Sequence, residues 1–344
     1  MNLLKKDMMK LQKEVQFSGS LLVQKEDEDW MRESYGFANR SEQLNNHNFT
    51  KYGIASGCKL FTAIAICQLV QENKLSFTSS LKDCLNVSFP NFPENITVHH
   101  LLTHTSGIPD YFDEELMDDF EELWKTYPMY QIRELKDFLP LFQNNKMKSK
   151  VGERFHYNNA GYILLGLIVE EASGFVFSEY IEQCIFKVAG CKDSGYFEFD
   201  RLPPHIALGY IDTPDGGWKT NIYSLPVKGG SDGGAFVTVD DMSKIWKALL
   251  NHQLLKEEFT NKLLNPYIGT GKENSYYGYG TWINTKNSEV HKYHIMGYDP
   301  GVSFHSAYYP KESILSTVCS NQSSGAFVMM KEIEKHIESL AKGN

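Results

Sequence analysis

The 344-residue chain contains no run of apolar residues approaching the ~18 needed to cross a bilayer, so no membrane span is expected. It also lacks positive excess: 34 Lys and Arg against 43 Asp and Glu leave a formal net charge of −9. Phosphate backbones and anionic membrane surfaces both call for a basic face, so the charge argues against nucleic acid and anionic membrane surfaces as partners. The six cysteines form no C-x-x-C pair, and Cys58 and Cys67 sit in an apolar stretch where cysteine acts as a small hydrophobe. All six are expected to be reduced thiols. No apolar core follows the first fifteen residues, whose hydrophobic positions recur at helical spacing between lysines. This segment predicts an amphipathic helix packed on the protein rather than a signal peptide, and hence a cytoplasmic chain. Internal repeats and low-complexity segments are missing as well. What is abundant is core material: 42% hydrophobic and 13% aromatic residues.

Strand-like alternation appears at both ends of the chain. At the N-terminal end it covers Phe17–Val23 and Trp30–Ala38, joined by an acidic turn. At the C-terminal end it covers Tyr276–Ile283, Tyr293–Met296, Val302–Tyr309 and Ile314–Cys319. Residues 56–200 read mainly as helices, and Ala326–Ala341 as a final helix. The expectation is an α/β (α+β) fold in which both chain ends build one antiparallel sheet, flanked by helices, around a mainly helical insertion. It is read as one catalytic domain over 1–344, with the sheet region at about 1–50 and 240–344 and the helical region at about 56–200. The seam between them is a natural place for a cleft, and the Gly- and Asp-rich stretch 211–235 is expected to border it.

Two short patterns carry chemistry. Ser56 and Lys59, three apart at the start of the apolar helix Leu60–Val70, lie on one face one turn apart. At a helix N-terminus free N–H groups favour developing negative charge, and apolar neighbours would desolvate the lysine amine. Such a pair can activate a serine without a histidine. Tyr157 and Asn159, two apart, project from the same side of an extended segment. A phenol beside a lysine ammonium is expected to be stabilised as phenolate and to relay protons. The asparagine amide can both hold the lysine and bind a substrate carbonyl.

Ser56-x-x-Lys59, the stretch Ile96 to Ile108, Tyr157-x-Asn159 and the segment Gly233 to Asp241 follow one another in that order. Together they resemble the serine β-lactamase-like superfamily on its class C side, which includes penicillin-binding-protein-type D-alanyl-D-alanine carboxypeptidases, D-aminopeptidases and family VIII esterases. The resemblance runs from about Phe17 to about Tyr309. It implies Ser56 as nucleophile, Lys59 and Tyr157 as proton carriers and Asn159 as orienting group. It also implies a late strand bearing Lys/His-x-Gly. The matching text is Tyr293-His294-Ile295-Met296-Gly297-Tyr298-Asp299-Pro300-Gly301. Keeping His294 as the motif residue requires one inserted residue, whereas keeping Gly297 and Pro300-Gly301 in register puts Ile295 there. A one-residue slip on a strand turns the side chain to the other face. By the same resemblance, the N–H groups of Tyr298 and Ser56 form the oxyanion hole.

Rival patterns are weaker. Gly229-Gly-Ser231-Asp-Gly233 matches the G-x-S-x-G nucleophile elbow, but the glycine and β-branched residues after it do not start a helix, so a glycine-rich loop is expected. His100-x-x-x-His104 lacks the glutamate of H-E-x-x-H and a third ligand, so no metal is expected. His156 is read as structural, and Asp113–Glu122 as a solvated acidic face. The resulting expectation is a serine hydrolase forming an acyl-enzyme on an amide, ester or β-lactam carbonyl of a small molecule or short peptide, without cofactor. The alternatives are a cytoplasmic esterase or D-amino-acid peptidase of the same fold, or a binding homologue without turnover.

Overall fold

A computed structural model of the chain describes residues 2–117 and 119–342. Both chain ends feed one sheet. Its strands are β1 (Gly19–Lys25), β2 (Glu28–Tyr35), β3 (Ile268–Gly269), β4 (Ser275–Tyr277), β5 (Trp282–Lys286), β6 (Glu289–Asp299), β7 (Val302–Tyr309) and β8 (Ile314–Ser320). The spatial order is β2-β1-β8-β7-β6-β5-β4-β3, antiparallel throughout, so the N-terminal hairpin is zipped onto the last strand with Leu22 opposite Thr317. The longer helices are α1 (Asn2–Glu14), α2 (Lys59–Gln71), α3 (Asn159–Ser173), α4 (Val239–Leu250) and α5 (Ala326–Lys342).

Successive side chains on a strand point to opposite faces, and here both faces are covered. Leu22, Phe304 and Cys319 join the large core that holds α2, α3 and α4. Their neighbours Leu21, Val23, Ala307 and Val318 pack instead with Leu4, Met8, Ile333 and Ile337 of the two terminal helices. α2 is buried from Lys59 to Leu69 on every side, as its unbroken apolar sequence requires. Among the described residues, no single helix is long and apolar enough to cross a membrane, and the six cysteines are unpaired.

Two expectations are corrected. The C-terminal sheet region does not begin near 240: residues 239–250 and 257–263 are helical, and strands start only at Ile268. The Thr238 hydroxyl accepts the Asp241 N–H at 3.0 Å, and Met242, Ile245, Trp246 and Leu249 then recur at helical spacing. The single strand expected over Tyr276–Ile283 is two strands, β4 and β5. Gly280 adopts φ +66°, and the Gly278 N–H donates to the Thr281 carbonyl at 2.8 Å, closing a tight turn that a side chain at 280 would strain.

Candidate active site

Ser56 lies in a single 3₁₀ turn, Ala55–Cys58, that runs straight into α2. The residue before it, Ala55, holds φ +45°, a left-handed conformation that a Cβ-bearing residue rarely adopts. The turn is fixed from outside: Ile54 N–H donates to Ala235 O at 3.0 Å, and a Cβ on Gly57 would fall 2.5 Å from the Phe304 ring. The strained turn is therefore over-determined by its surroundings, and it presents the Ser56 hydroxyl to a cavity.

Lys59 is 1% exposed, yet its amine has oxygen acceptors within hydrogen-bond reach. Its Nζ donates to Asn159 Oδ1 at 2.8 Å and to the Asp232 carbonyl at 2.7 Å, and lies 2.9 Å from Ser56 Oγ. Two acceptors thus occupy two of its N–H bonds and aim the third tetrahedral position at Ser56. The lysine is buried, as its apolar neighbours imply, but the immediate partners of the amine are polar.

Asn159 is the first residue of α3. The Asn158 side chain caps that helix by accepting the Gly161 N–H at 2.7 Å, and Tyr157 remains extended just outside it. The Asn159 Nδ2 donates to the Phe112 carbonyl at 3.2 Å and faces Asp110 at 3.4 Å. The amide nitrogen thus already has acceptors within the protein, while the amide oxygen holds Lys59. Below it, the buried Asp110 carboxylate accepts the N–H groups of Asn159 at 2.7 Å and Ala160 at 2.9 Å, at the positive end of α3. Burial outweighs those bonds and pushes its pKa up to about 7.

The Tyr157 ring sits with Lys59 Nζ 4.8 Å from its centre and stacks on Trp282 with centroids 6.0 Å apart. Its pKa is raised well above the ordinary value by burial, then by the Glu114 carboxylate, with a hydrogen bond to Ser56 opposing. Burial and the nearby carboxylate thus work against the expected phenolate.

β6 closes the other side. A Cβ on Gly297 would fall 2.1 Å from Ile54 O and 2.8 Å from Ser56 N, so the strand backbone lies directly against the nucleophile turn. Tyr298 follows, with its ring on the opposite face and its hydroxyl bonded to His305 Nε2. Only its backbone is thus available beside Ser56. Ile295, on the Gly297 face, is 2% exposed and belongs to the main core. His294 turns to the other face, beside Trp282 at 6.4 Å, and does not line the cavity. The structure brings Ser56, Lys59, Tyr157, Asn159, Gly297 and Tyr298 together and leaves His294 outside.

The cavity beside Ser56 measures about 850 Å³, within the range of small-molecule sites. Sequence reasoning missed much of its wall. Glu114, Met117, Phe120 and Glu121 line it, so the acidic run is not simply a solvated face. The apolar Phe112, Met117 and Phe120 spaced through that run were the available signal. Asp113 is buried and paired with Lys148 at 3.1 Å and His156 at 3.2 Å. Asp232 accepts a hydrogen bond from the Tyr111 hydroxyl, and burial raises its pKa despite Lys59. Trp282 and Asp299 complete the wall.

The rival patterns have other duties. The Ser231 hydroxyl is fully buried and donates to the Tyr162 carbonyl at 2.7 Å. His100 Nδ1 accepts the Thr97 N–H at 3.1 Å, closing a helix cap, and His104 Nδ1 accepts the Asn158 N–H at 3.0 Å. Each histidine is thus used in local structure.

The family model described as Beta-lactamase matches residues 9–338. The chain belongs to the β-lactamase family. That family consists of serine hydrolases. The chain is 28% identical over 291 residues to penicillin-binding protein 4* of Bacillus subtilis, covering 80% of this chain and 61% of that protein. It thus spans about three-fifths of the length of that curated relative. A solved penicillin-binding protein from Bacillus halodurans superposes with a TM-score of 0.92 at 58% identity, over 95% of this chain and 99% of that one. The D-amino acid amidase of Ochrobactrum anthropi SV3 shares the fold, with a TM-score of 0.81 at 19% identity over 100% and 99% of the two chains.

Proposed function

We propose that this β-lactamase-family chain hydrolyses an amide, ester or β-lactam carbonyl through an acyl-enzyme on Ser56. The observation that carries the reading is the Lys59 amine, held at 2.8 and 2.7 Å by two carbonyl oxygens so that its remaining position faces Ser56 Oγ at 2.9 Å. In its amine form a lone pair there accepts the Ser56 proton as Oγ attacks. The N–H groups of Ser56 and Tyr298 receive the oxyanion. Tyr157, which keeps its proton at rest, is the donor to the leaving group, and Lys59 restores that proton. Water then attacks the ester on Ser56 as the steps run in reverse.

The leaving group departs on the Tyr157 side, where Trp282 pairs with His294, three residues before Gly297. Ile295 offers a leaving-group carboxylate no charge. Lys272, exposed on the cavity rim between β3 and β4 and paired with no carboxylate among the described residues, is the cation such a group can meet. The test is kcat/KM for p-nitrophenyl butyrate and nitrocefin. Ser56→Ala is expected to lose at least about a thousandfold on whichever substrate turns over, while Ser231→Ala stays within about tenfold. Equal loss in both variants, or retained turnover in Ser56→Ala, overturns the assignment.

A further inference from the structure

The cavity carries an imbalance that the hydrolytic machinery does not use. Asp299 stands two residues after Gly297 on β6, so its side chain shares the face that packs on the nucleophile turn, roughly 7 Å further along. It lines the cavity, and no side chain or backbone group among the described residues donates to its carboxylate. Asp232 and Glu114 line the same cavity and act on it as like charges, and Lys59 acts as an opposite one. Lys59 is already held by Asn159 and the Asp232 carbonyl. Lys219, the other cavity cation besides Lys272, is paired with Glu121 at 2.8 Å. A carboxylate sharing a cavity with two others, with no dedicated counter-ion, is costly unless something positive joins it.

The position also has a direction. Tyr157 stacks on Trp282, the partner of His294 on the early side of Gly297, whereas Asp299 lies on the late side. The leaving group departs toward Tyr157, so Asp299 borders the part of the substrate retained on Ser56.

We propose that Asp299 is the anchor for a cationic group, such as a primary ammonium, carried on the acyl portion of the substrate. The direction of the assignment rests on the hydrolase reading; the presence of the cation subsite does not. Burial and the Asp232 charge push the Asp299 pKa up to about 8, which an incoming ammonium would reverse.

Binding is measured in a Ser56→Ala background, where no turnover intervenes, by calorimetry with two nearly isosteric probes. Alanine p-nitroanilide carries an ammonium where isobutyryl p-nitroanilide carries a methyl group. A charge-assisted hydrogen bond predicts that the ammonium probe binds about tenfold or more tightly. Adding Asp299→Asn brings the two probes within about threefold, whereas Asp299→Glu keeps a preference and so separates loss of charge from damage to the cavity. Equal binding of the probes, a preference that survives Asp299→Asn, or binding of neither probe overturns the proposal. Failure of the hydrolase reading shows separately, in turnover by the Ser56-bearing protein.

Discussion

Gly297→Ala tests the closeness of β6 to the nucleophile turn. The added methyl group would stand 2.1 Å from the Ile54 carbonyl oxygen, where ordinary contact begins near 3.4 Å, a shortfall of 1.3 Å. The obstacle is backbone on both sides: Ile54 O and Ser56 N belong to the strained turn that bears Ala55 at φ +45°. Neither can swing aside as a side chain would, so the strand and the turn must separate by about an ångström. Overpacking of this kind costs about 1–3 kcal/mol of stability. The functional cost is larger, because the two N–H groups proposed to hold the oxyanion lie on opposite sides of that contact. A displacement of about 1 Å at a reacting centre is worth roughly a hundredfold in rate. The assay is kcat/KM on a neutral ester, with the melting temperature followed in parallel. Gly269→Ala serves as the control, since a Cβ there meets nothing within 4 Å on the same sheet. A Gly297→Ala enzyme within about threefold of the parent rate would refute the placement of the oxyanion strand.

Three further outcomes are expected. Lys59→Ala should lose several orders of magnitude in the rate of acylation, and Lys59→Arg should not restore it, because a guanidinium stays protonated and cannot accept the Ser56 proton; near-normal acylation in the Arg variant would show that positive charge alone suffices. His294→Ala, outside the cavity, should change kcat/KM for nitrocefin by less than about tenfold, whereas Lys272→Ala should raise KM for this carboxylate-bearing substrate and not for the neutral ester; a collapse of turnover in His294→Ala would restore it as the motif residue. Asp299 binds its proton up to about pH 8 when folded and up to about 3.8 when unfolded, so its favourable contribution is complete below about pH 4 and is lost as pH rises toward 8. Thermal melts should show Asp299→Asn gaining on the parent between pH 4 and 8, by up to a few kcal/mol; a difference that does not change with pH would contradict the half-buried, unpaired carboxylate.

Much of this was legible in the residues themselves. The apolar run after Lys59 marked a helix that is buried all round, and Ser56 and Lys59 needed only the helical repeat to meet. Tyr157 and Asn159 were legible as a pair, but the proton state of Tyr157 was not. It depends first on burial and then on Glu114, which comes from a loop more than forty residues away in sequence. The same holds for Asn159, whose amide nitrogen is taken by Phe112 and faces Asp110. Local pattern gives which side chains share a face; which distant carboxylate leans on them is set by tertiary packing. The missed helices at 239–263 and the break at Gly280 are boundary questions of another kind, in which a threonine cap and one left-handed glycine outweigh strand-like composition.

The central claim is that Ser56 becomes acylated, and mass spectrometry reads this directly. After incubation with a fluorescent penicillin or a fluorophosphonate, peptide mapping should place a single adduct on the peptide containing Ser56, with none in Ser56→Ala. No adduct with either reagent, or an adduct on Ser231 that persists in Ser56→Ala, would contradict the account.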